Sequence, residues 1–293
     1  MPKTANLSLI KAHFAKVRQS TFTPTQLNTL FVEKQDEWNI PKSWGQSRFQ
    51  EVLEEKIGLK RVALKWGKAK EITRFFRGNP SHLEIAASLI HGSYLCHRTA
   101  AAIHGLVDDY GKILYINAEQ DAKPTSNELH QQAIDRAFSS KSRISKREYR
   151  ALAGKDETRY LVVSGKRSFG RGVEAFQHPE AGEIKITNME RTLIDCTIRP
   201  HYLGTAQELV KAFKSARNRF DVEKLSQTLA ELNYLYPYNQ SLGFLLQRAG
   251  YSPIEFAKLK NLKMQFNFYL DHGMEETNFD PEWRLFYPKE LDL

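Results

Sequence analysis

Apolar residues recur at helical spacing early in the chain. Leu7, Ile10, Phe14 and Val17 line one face of a first helix. A second begins at Pro24: Thr23 suits its N-cap, Gln26 completes a capping box, and proline favours the first helical position. Leu27, Leu30 and Phe31 form its apolar face. A third begins near Ser43, again with a glutamine three residues on, and buries Phe49, Val52, Leu53 and Ile57. After Gly58 the period changes to two. Val62, Leu64 and Trp66 point one way and Arg61, Ala63 and Lys65 the other. Gly67-Lys68 suits a two-residue turn, and residues 72–76 supply a return strand.

From residue 79 helical and alternating patterns mix. Pro80 and Ser81 open a helix running to Ile90, with Leu83, Ala86, Ala87 and Ile90 inward. Residues 96–104 predict another, ended by Gly105, then a strand at 113–117 and a helix at 127–138. Strands at 160–163 and 184–187 bracket the glycine-rich stretch SGKRSFGRG. Helical patterns at 188–197, 203–217, 221–232 and about 240–249 follow, and strands around 266–270 and 284–287 complete the pattern. No repeat or low-complexity linker interrupts it, and the join at Gly78-Asn79-Pro80 is short. The expected fold is α+β: an N-terminal winged helix-turn-helix domain over 1–78 and a larger mixed α/β domain over 79–293.

Length and composition agree with this division. A chain of 293 residues suits two domains of roughly 150 each. With 41% hydrophobic and 26% charged residues it buries a core rather than staying unfolded. Cys96 and Cys196 are too few for a disulfide framework or a four-cysteine zinc site. No run approaches the roughly 18 apolar residues of a membrane-spanning helix, and the start, MPKTANLSLIKAHF, lacks a secretory signal's apolar stretch. A cytoplasmic protein that makes no use of a membrane is expected.

Charge changes the picture more. The net charge is +9, and residues 1–78 alone carry 15 Lys and Arg against 7 Asp and Glu. A second basic block, residues 139–171, has 10 against 3, whereas 172–293 has 14 against 17. Three helices followed by a basic hairpin is the winged helix-turn-helix arrangement, whose third helix enters the major groove. Lys42, Ser43, Gln46, Ser47, Arg48 and Gln50 gather at the start of that helix, where Gln and Arg have the geometry to contact base edges. Glu51, Glu54 and Glu55 in its second half repel phosphates. Lys60, Arg61, Lys65, Lys68, Lys70 and Arg74 on the hairpin provide phosphate contacts that position the module without reading sequence. The second block offers Lys141, Arg143, Lys146, Arg147, Arg150, Lys166, Arg167 and Arg171. These either contact further nucleic acid or simply solubilise a surface, and the sequence does not separate the two.

Other candidate chemistry is weaker. In ERTLID, Glu190 suits the first turn of a helix, while Arg191 and Asp195 are four apart and pair. An ion-paired anchor is the better reading than an acid/base or metal pair. His91, Cys96, His97 and His104 lack the ligand spacing of a zinc site. SGKRSFGRG fails the phosphate-loop pattern G-x-x-x-x-G-K-[ST]. The aromatic groups Tyr234, Tyr236, Tyr238 and Phe266, Phe268, Tyr269 are expected to fill a core. No catalytic residue, metal ligand or cofactor site is assigned.

The segments NPSHLEIAASLIHGSYLCHRTAAAIHGL, ITNMERTLIDCTIRP, LNYLYPYNQSLGFLLQRAGY and WRLFYP resemble the AbiEi antitoxin family of type IV toxin–antitoxin systems, over roughly residues 75–288. ERTLID is the most specific piece, and the N-terminal domain is similar in architecture. The resemblance implies a transcriptional autoregulator that binds inverted repeats in its own promoter, with two copies on double-stranded operator DNA. It also implies an antitoxin that counters a nucleotidyltransferase-like toxin without a stable complex. Two alternatives stay open on the residues alone: a nucleic-acid-directed enzyme delivered by the winged helix, and a stand-alone regulator whose C-terminal part senses a ligand.

Overall fold

The first helical stripe forms α1 (Leu7–Lys16), which buries Ile10 and Phe14 and is capped by Asn6, whose side chain accepts from the Leu9 amide. In the computed structural model, residues 4–67, 70–121, 129–151 and 158–292 are described. A two-residue strand, β1 (Thr21–Phe22), precedes α2 (Pro24–Glu33). The expected capping box is complete. The Thr23 hydroxyl accepts from the Gln26 amide, and the Gln26 side chain accepts from the Thr23 amide at 2.8 Å. α3 (Gln46–Val52) starts later than Ser43, with Gly45 as its N-cap, so Lys42 and Ser43 precede the helix. It continues as a π-helical turn over Leu53–Ile57 and stops at Gly58, whose φ of +87° lies in the left-handed region.

β2 (Leu59–Trp66) and β3 (Lys70–Arg77) form the antiparallel hairpin, in register from Leu59↔Arg77 to Trp66↔Lys70. Lys68, placed in its turn by the sequence, lies outside the described residues. β1 adds to the outer edge of β3 through Thr21↔Phe76 and Phe22↔Phe75. Strand alternation gives the hairpin two different faces. Leu59 and Phe75 point toward α1–α3 and join Ile10, Phe14, Phe22, Leu27, Trp38, Phe49 and Leu53 in one core.

The remaining elements are α4 (His82–Ser88), β4 (Tyr94–Leu95), α5 (His97–Ile103), β5 (Ile113–Gln120), α6 (Gln131–Phe138), β6 (Glu148–Ala151), β7 (Arg159–Lys166), β8 (Val173–His178) and β9 (Gly182–Thr187), followed by a helical run. That run comprises α7 (Met189–Ile198), α8 (Ala206–Ser215), α9 (Val222–Leu232), α10 (Tyr238–Arg248) and α11 (Ala257–Lys260). A small sheet of β10 (Phe268–Tyr269), β11 (Thr277–Asp280) and β12 (Leu285–Pro288), with β12 central, ends the chain. The mixed α and β character expected from the sequence is present. Five strands were not expected: β1 and β4 are two residues long, and β6, β8 and β11 together bury only Tyr149.

The expected division at residue 78 is not a gap. Nine strands form one sheet in the order β1-β3-β2-β6-β7-β5-β4-β9-β8. β2 pairs antiparallel with β6 through Leu64↔Ala151, Lys65↔Arg150 and Trp66↔Tyr149. On this side of the hairpin Leu64 and Phe76 are buried with Leu83, Ile85 and Leu89 from around α4 and with Tyr149 and Tyr160. Trp66 stacks on Tyr149 at 5.8 Å. A third, larger core gathers α7–α10 and the C-terminal sheet around Leu193, Phe213, Leu242, Phe244 and Trp283.

Leu64 is fully buried in the core that spans residue 78. Leu64→Ala is expected to lower stability by about 2–5 kcal/mol. A urea titration followed by both fluorescence and circular dichroism checks this, with the two transitions staying coincident.

Candidate functional site

Two sets of side chains carry the chemistry anticipated above. In the first, Gln46, Ser47 and Arg48 are exposed on the first turn of α3, with Lys42 and Ser43 exposed just ahead of it. Arg48 donates to Glu51 one turn on, at 2.9 Å, with both side chains about half exposed. Such a pair is weakly held and exchanges readily with another partner. Gln50 is turned away: its amide donates to the Asn28 side chain on α2 at 2.9 Å.

On the hairpin, Lys60, Arg61, Lys65 and Lys70 are exposed. Lys70 sits over the Trp66 ring at 4.7 Å and Arg61 lies 6.0 Å from the Phe75 ring, contacts that hold the stems against the sheet. Arg74 does not belong with them. Its guanidinium donates to the carbonyls of Ser88 and Leu89 at 2.9 and 2.8 Å, closing the C-terminal end of α4. Burial lowers its pKa from the ordinary arginine value. An arginine in a strand gives no sign in sequence that it faces a helix end beyond its own hairpin.

The second basic block is divided by the fold. Lys166 donates to the carbonyls of Leu232 and Asn233 at the end of α9, Arg167 pairs with Asp121 at 2.9 Å, and Arg171 pairs with Glu231 at 3.1 Å. Lys141, Arg143 and Lys146 are exposed and Arg147 is half-buried. Arg150 lies directly across from Lys65 on the neighbouring strand. Arg159, which the sequence did not single out, lies across from Arg150.

The second set surrounds ERTLID on α7. Arg191 is 2% exposed, and its Nε donates to Asp195 at 2.7 Å. The expected pairing is present, and the fold encloses it. The guanidinium also donates to the Arg171 carbonyl at 2.8 Å and to the Ser168 hydroxyl at 3.2 Å. Burial opposes the Arg191 charge, and Asp195 more than offsets this, so the side chain stays protonated. Gly172 lies against it. A Cβ there would stand 2.6 Å from the Arg191 Cβ, and its φ of +66° already disfavours other residues. SGKRSFGRG is therefore a clasp around a buried guanidinium, not a phosphate cradle.

Glu119, at the end of β5, closes the network. It accepts from the amides of Ser168 and Phe169 at 3.0 and 3.1 Å, from the Ser168 hydroxyl, and from Tyr94 at 3.1 Å. Burial works to raise its pKa, but the hydrogen bonds from Ser168 and Tyr94 prevail and hold it below the usual carboxylate range. Glu190, buried, meets Lys224 at 3.3 Å. Each of these carboxylates is engaged with partners of its own.

Among the described residues no group of His, Cys, Asp and Glu is arranged to hold a metal. His104 bonds through Nε2 to the Thr187 carbonyl at 2.7 Å. His97 is buried at a φ of +48° with Nδ1 unpartnered, and burial pushes its pKa well down. The C-terminal aromatics pack as expected: Phe138, Tyr236, Tyr238 and Phe268 make edge and stacked contacts at 4.9–6.1 Å.

The fold has a solved counterpart. The chain superimposes on the crystal structure of the RV2827C protein from Mycobacterium tuberculosis with a TM-score of 0.56 at 14% identity, over 98% of this chain and 95% of that one. At that identity the likeness is one of fold alone. No family model matches the chain, and no curated protein does. Among the described residues no helix is long and apolar enough to cross a membrane.

Two outcomes follow from the buried network. Arg191→Met strands Asp195 without its partner and is expected to cost about 3–5 kcal/mol in chemical denaturation. Glu119 has its pKa lowered by folding, so its contribution is complete above the ordinary carboxylate value of 4.5 and is lost as pH falls through the folded value. Wild-type stability measured from pH 7 to pH 3 should therefore fall more steeply in the acid range than that of Glu119→Gln.

Proposed function

We propose that the N-terminal elements form a winged helix-turn-helix that binds duplex DNA, and that the protein is an autorepressor and antitoxin of the type IV class. The observation that carries the DNA-binding half is the order of elements: helix, short strand, two helices, hairpin, with the short strand on the outer edge of the return strand. The start of α3 is exposed, and so are Lys60, Arg61, Lys65 and Lys70 on the hairpin, of which Arg61 and Lys65 lie on the face that bears α1–α3. In this reading Gln46, Ser47 and Arg48 meet base edges while the hairpin cations meet phosphates. Gln50 and Arg74, held by Asn28 and by the end of α4, drop out of the contact set.

Repression would follow from occupancy, with two copies on an inverted repeat. The antitoxin half is supported by the resemblance of α4, α5, α7 and α10 to the AbiEi family. The residues of ERTLID that carry this likeness are the ones that anchor α7 inside the fold. The toxin would be nucleotidyltransferase-like and countered without a stable complex.

The whole chain is the right material for the test, because the core containing Leu64 and Phe76 spans residue 78. Fluorescence anisotropy on the chain's own promoter region should show binding that weakens steeply with salt. Arg48→Ala should lose about 10- to 100-fold of the preference for that sequence over a scrambled one. Lys65→Ala should weaken both duplexes alike and flatten the salt slope by ~1. Unchanged binding by both variants overturns the DNA reading. Growth rescue on co-expression with the adjacent gene, which the antitoxin reading expects to encode a nucleotidyltransferase-like toxin, tests that reading, and absence of such a toxin or of rescue overturns it.

A further inference from the structure

We infer that the DNA-contacting surface does not end at the hairpin but continues across β6 and β7, on the sheet face that bears α1–α3. The inference rests on the DNA-binding reading above and extends it to a second segment of phosphate backbone.

Register carries it. Residues directly opposite one another on paired strands share a face. Lys65 faces Arg150, and Arg150 faces Arg159, so three cations stand in one row across β2, β6 and β7. Strand spacing places them within roughly 10 Å. Alternation from Leu59 through Arg61 to Lys65 puts this row on the face that bears α1–α3, not on the face where Leu64, Tyr149 and Tyr160 are buried. Further along the same face, beyond Arg159, Tyr115, Leu161 and Tyr202 close it with an apolar cluster. Among the described residues, the row thus lies on a strip between two covered regions.

The strip has a cost without a ligand. Like charges directly opposite on neighbouring strands repel. Glu148 relieves part of this by accepting from Arg150 at 2.8 Å and from Arg159 at 3.4 Å, and Glu71 lies opposite Lys65. Among the described residues, four cations, counting Arg61, still outnumber these two carboxylates. The Arg150 side chain is 61% exposed, so its ion pair is easily exchanged for phosphate. A polyanion held against α3 and the hairpin supplies the missing negative charge, and duplex DNA continuing past the hairpin does so without needing a particular sequence.

The test uses the full chain and an about 40-bp duplex from its own promoter region, titrated over a range of KCl concentrations. Arg150→Gln is expected to reduce the slope of log K against log[KCl] by about 1 while leaving preference over a scrambled duplex unchanged. Arg150→Lys, which keeps the charge, should restore the slope. Thermal unfolding of each variant confirms that the sheet is intact. If Arg150→Gln keeps the wild-type slope and affinity while Lys65→Ala and Arg48→Ala weaken binding, the extension is wrong and the DNA reading stands. If the wild-type chain shows no salt-dependent binding, the DNA reading fails and takes the extension with it.

Discussion

Three residue pairs between β2 and β6 decide how the two halves of this chain relate. They turn a hairpin that would otherwise project as a free wing into the second and third strands of a nine-stranded sheet. Both faces of the hairpin are then used. One completes the core beneath α1–α3, and the other completes a core with α4, β6 and β7. Neither core closes without the hairpin. The unit that folds is the whole sheet, and the charge on the hairpin is held in a fixed relation to the charge on β6.

The larger half solves a harder problem, that of enclosing an arginine. A buried guanidinium is tolerated when its charge is paired and its donors are satisfied. Asp195 supplies the charge, and the Arg171 carbonyl and Ser168 hydroxyl supply acceptors. The loop that brings them is fixed in turn by Glu119, which binds the Ser168 and Phe169 amides from the end of β5. Gly172 permits the close approach. The resemblance-bearing motif and the glycine-rich stretch, separate in sequence, are two sides of one contact.

Local signals were legible in proportion to how local their physics is. The Thr23–Gln26 capping box forms as its spacing implies, and so do the apolar face of α2 and the Arg191–Asp195 pair. A second capping box, Ser81 with Glu84, opens α4 where Pro80 and Ser81 marked a helix start. The start of α3 was misplaced because Ser43 and Gln46 mimic a cap, whereas Gly45 ends a turn from Pro41 to Trp44. β6 escaped notice because Glu148, Arg150 and their neighbours show one buried residue, Tyr149, and no alternation to read. Long-range fates were invisible: nothing near Arg74 announces the carbonyls of Ser88 and Leu89, and nothing near Lys65 announces Arg150. Of the candidate site, the sequence showed which cations exist, and tertiary pairing decided which of them are free.

The antiparallel junction leaves little tolerance for error in its alignment. Side chains alternate strictly along a strand, so sliding β6 by one position against β2 inverts every neighbour across the seam. Arg150 would turn into the apolar layer beside Tyr160, and Tyr149 would surface between Lys65 and Arg159. The stacking of Trp66 on Tyr149 is thus more than packing: it acts as a registration mark, tying the electrostatic character of one side of the sheet to the hydrophobic fit of the other.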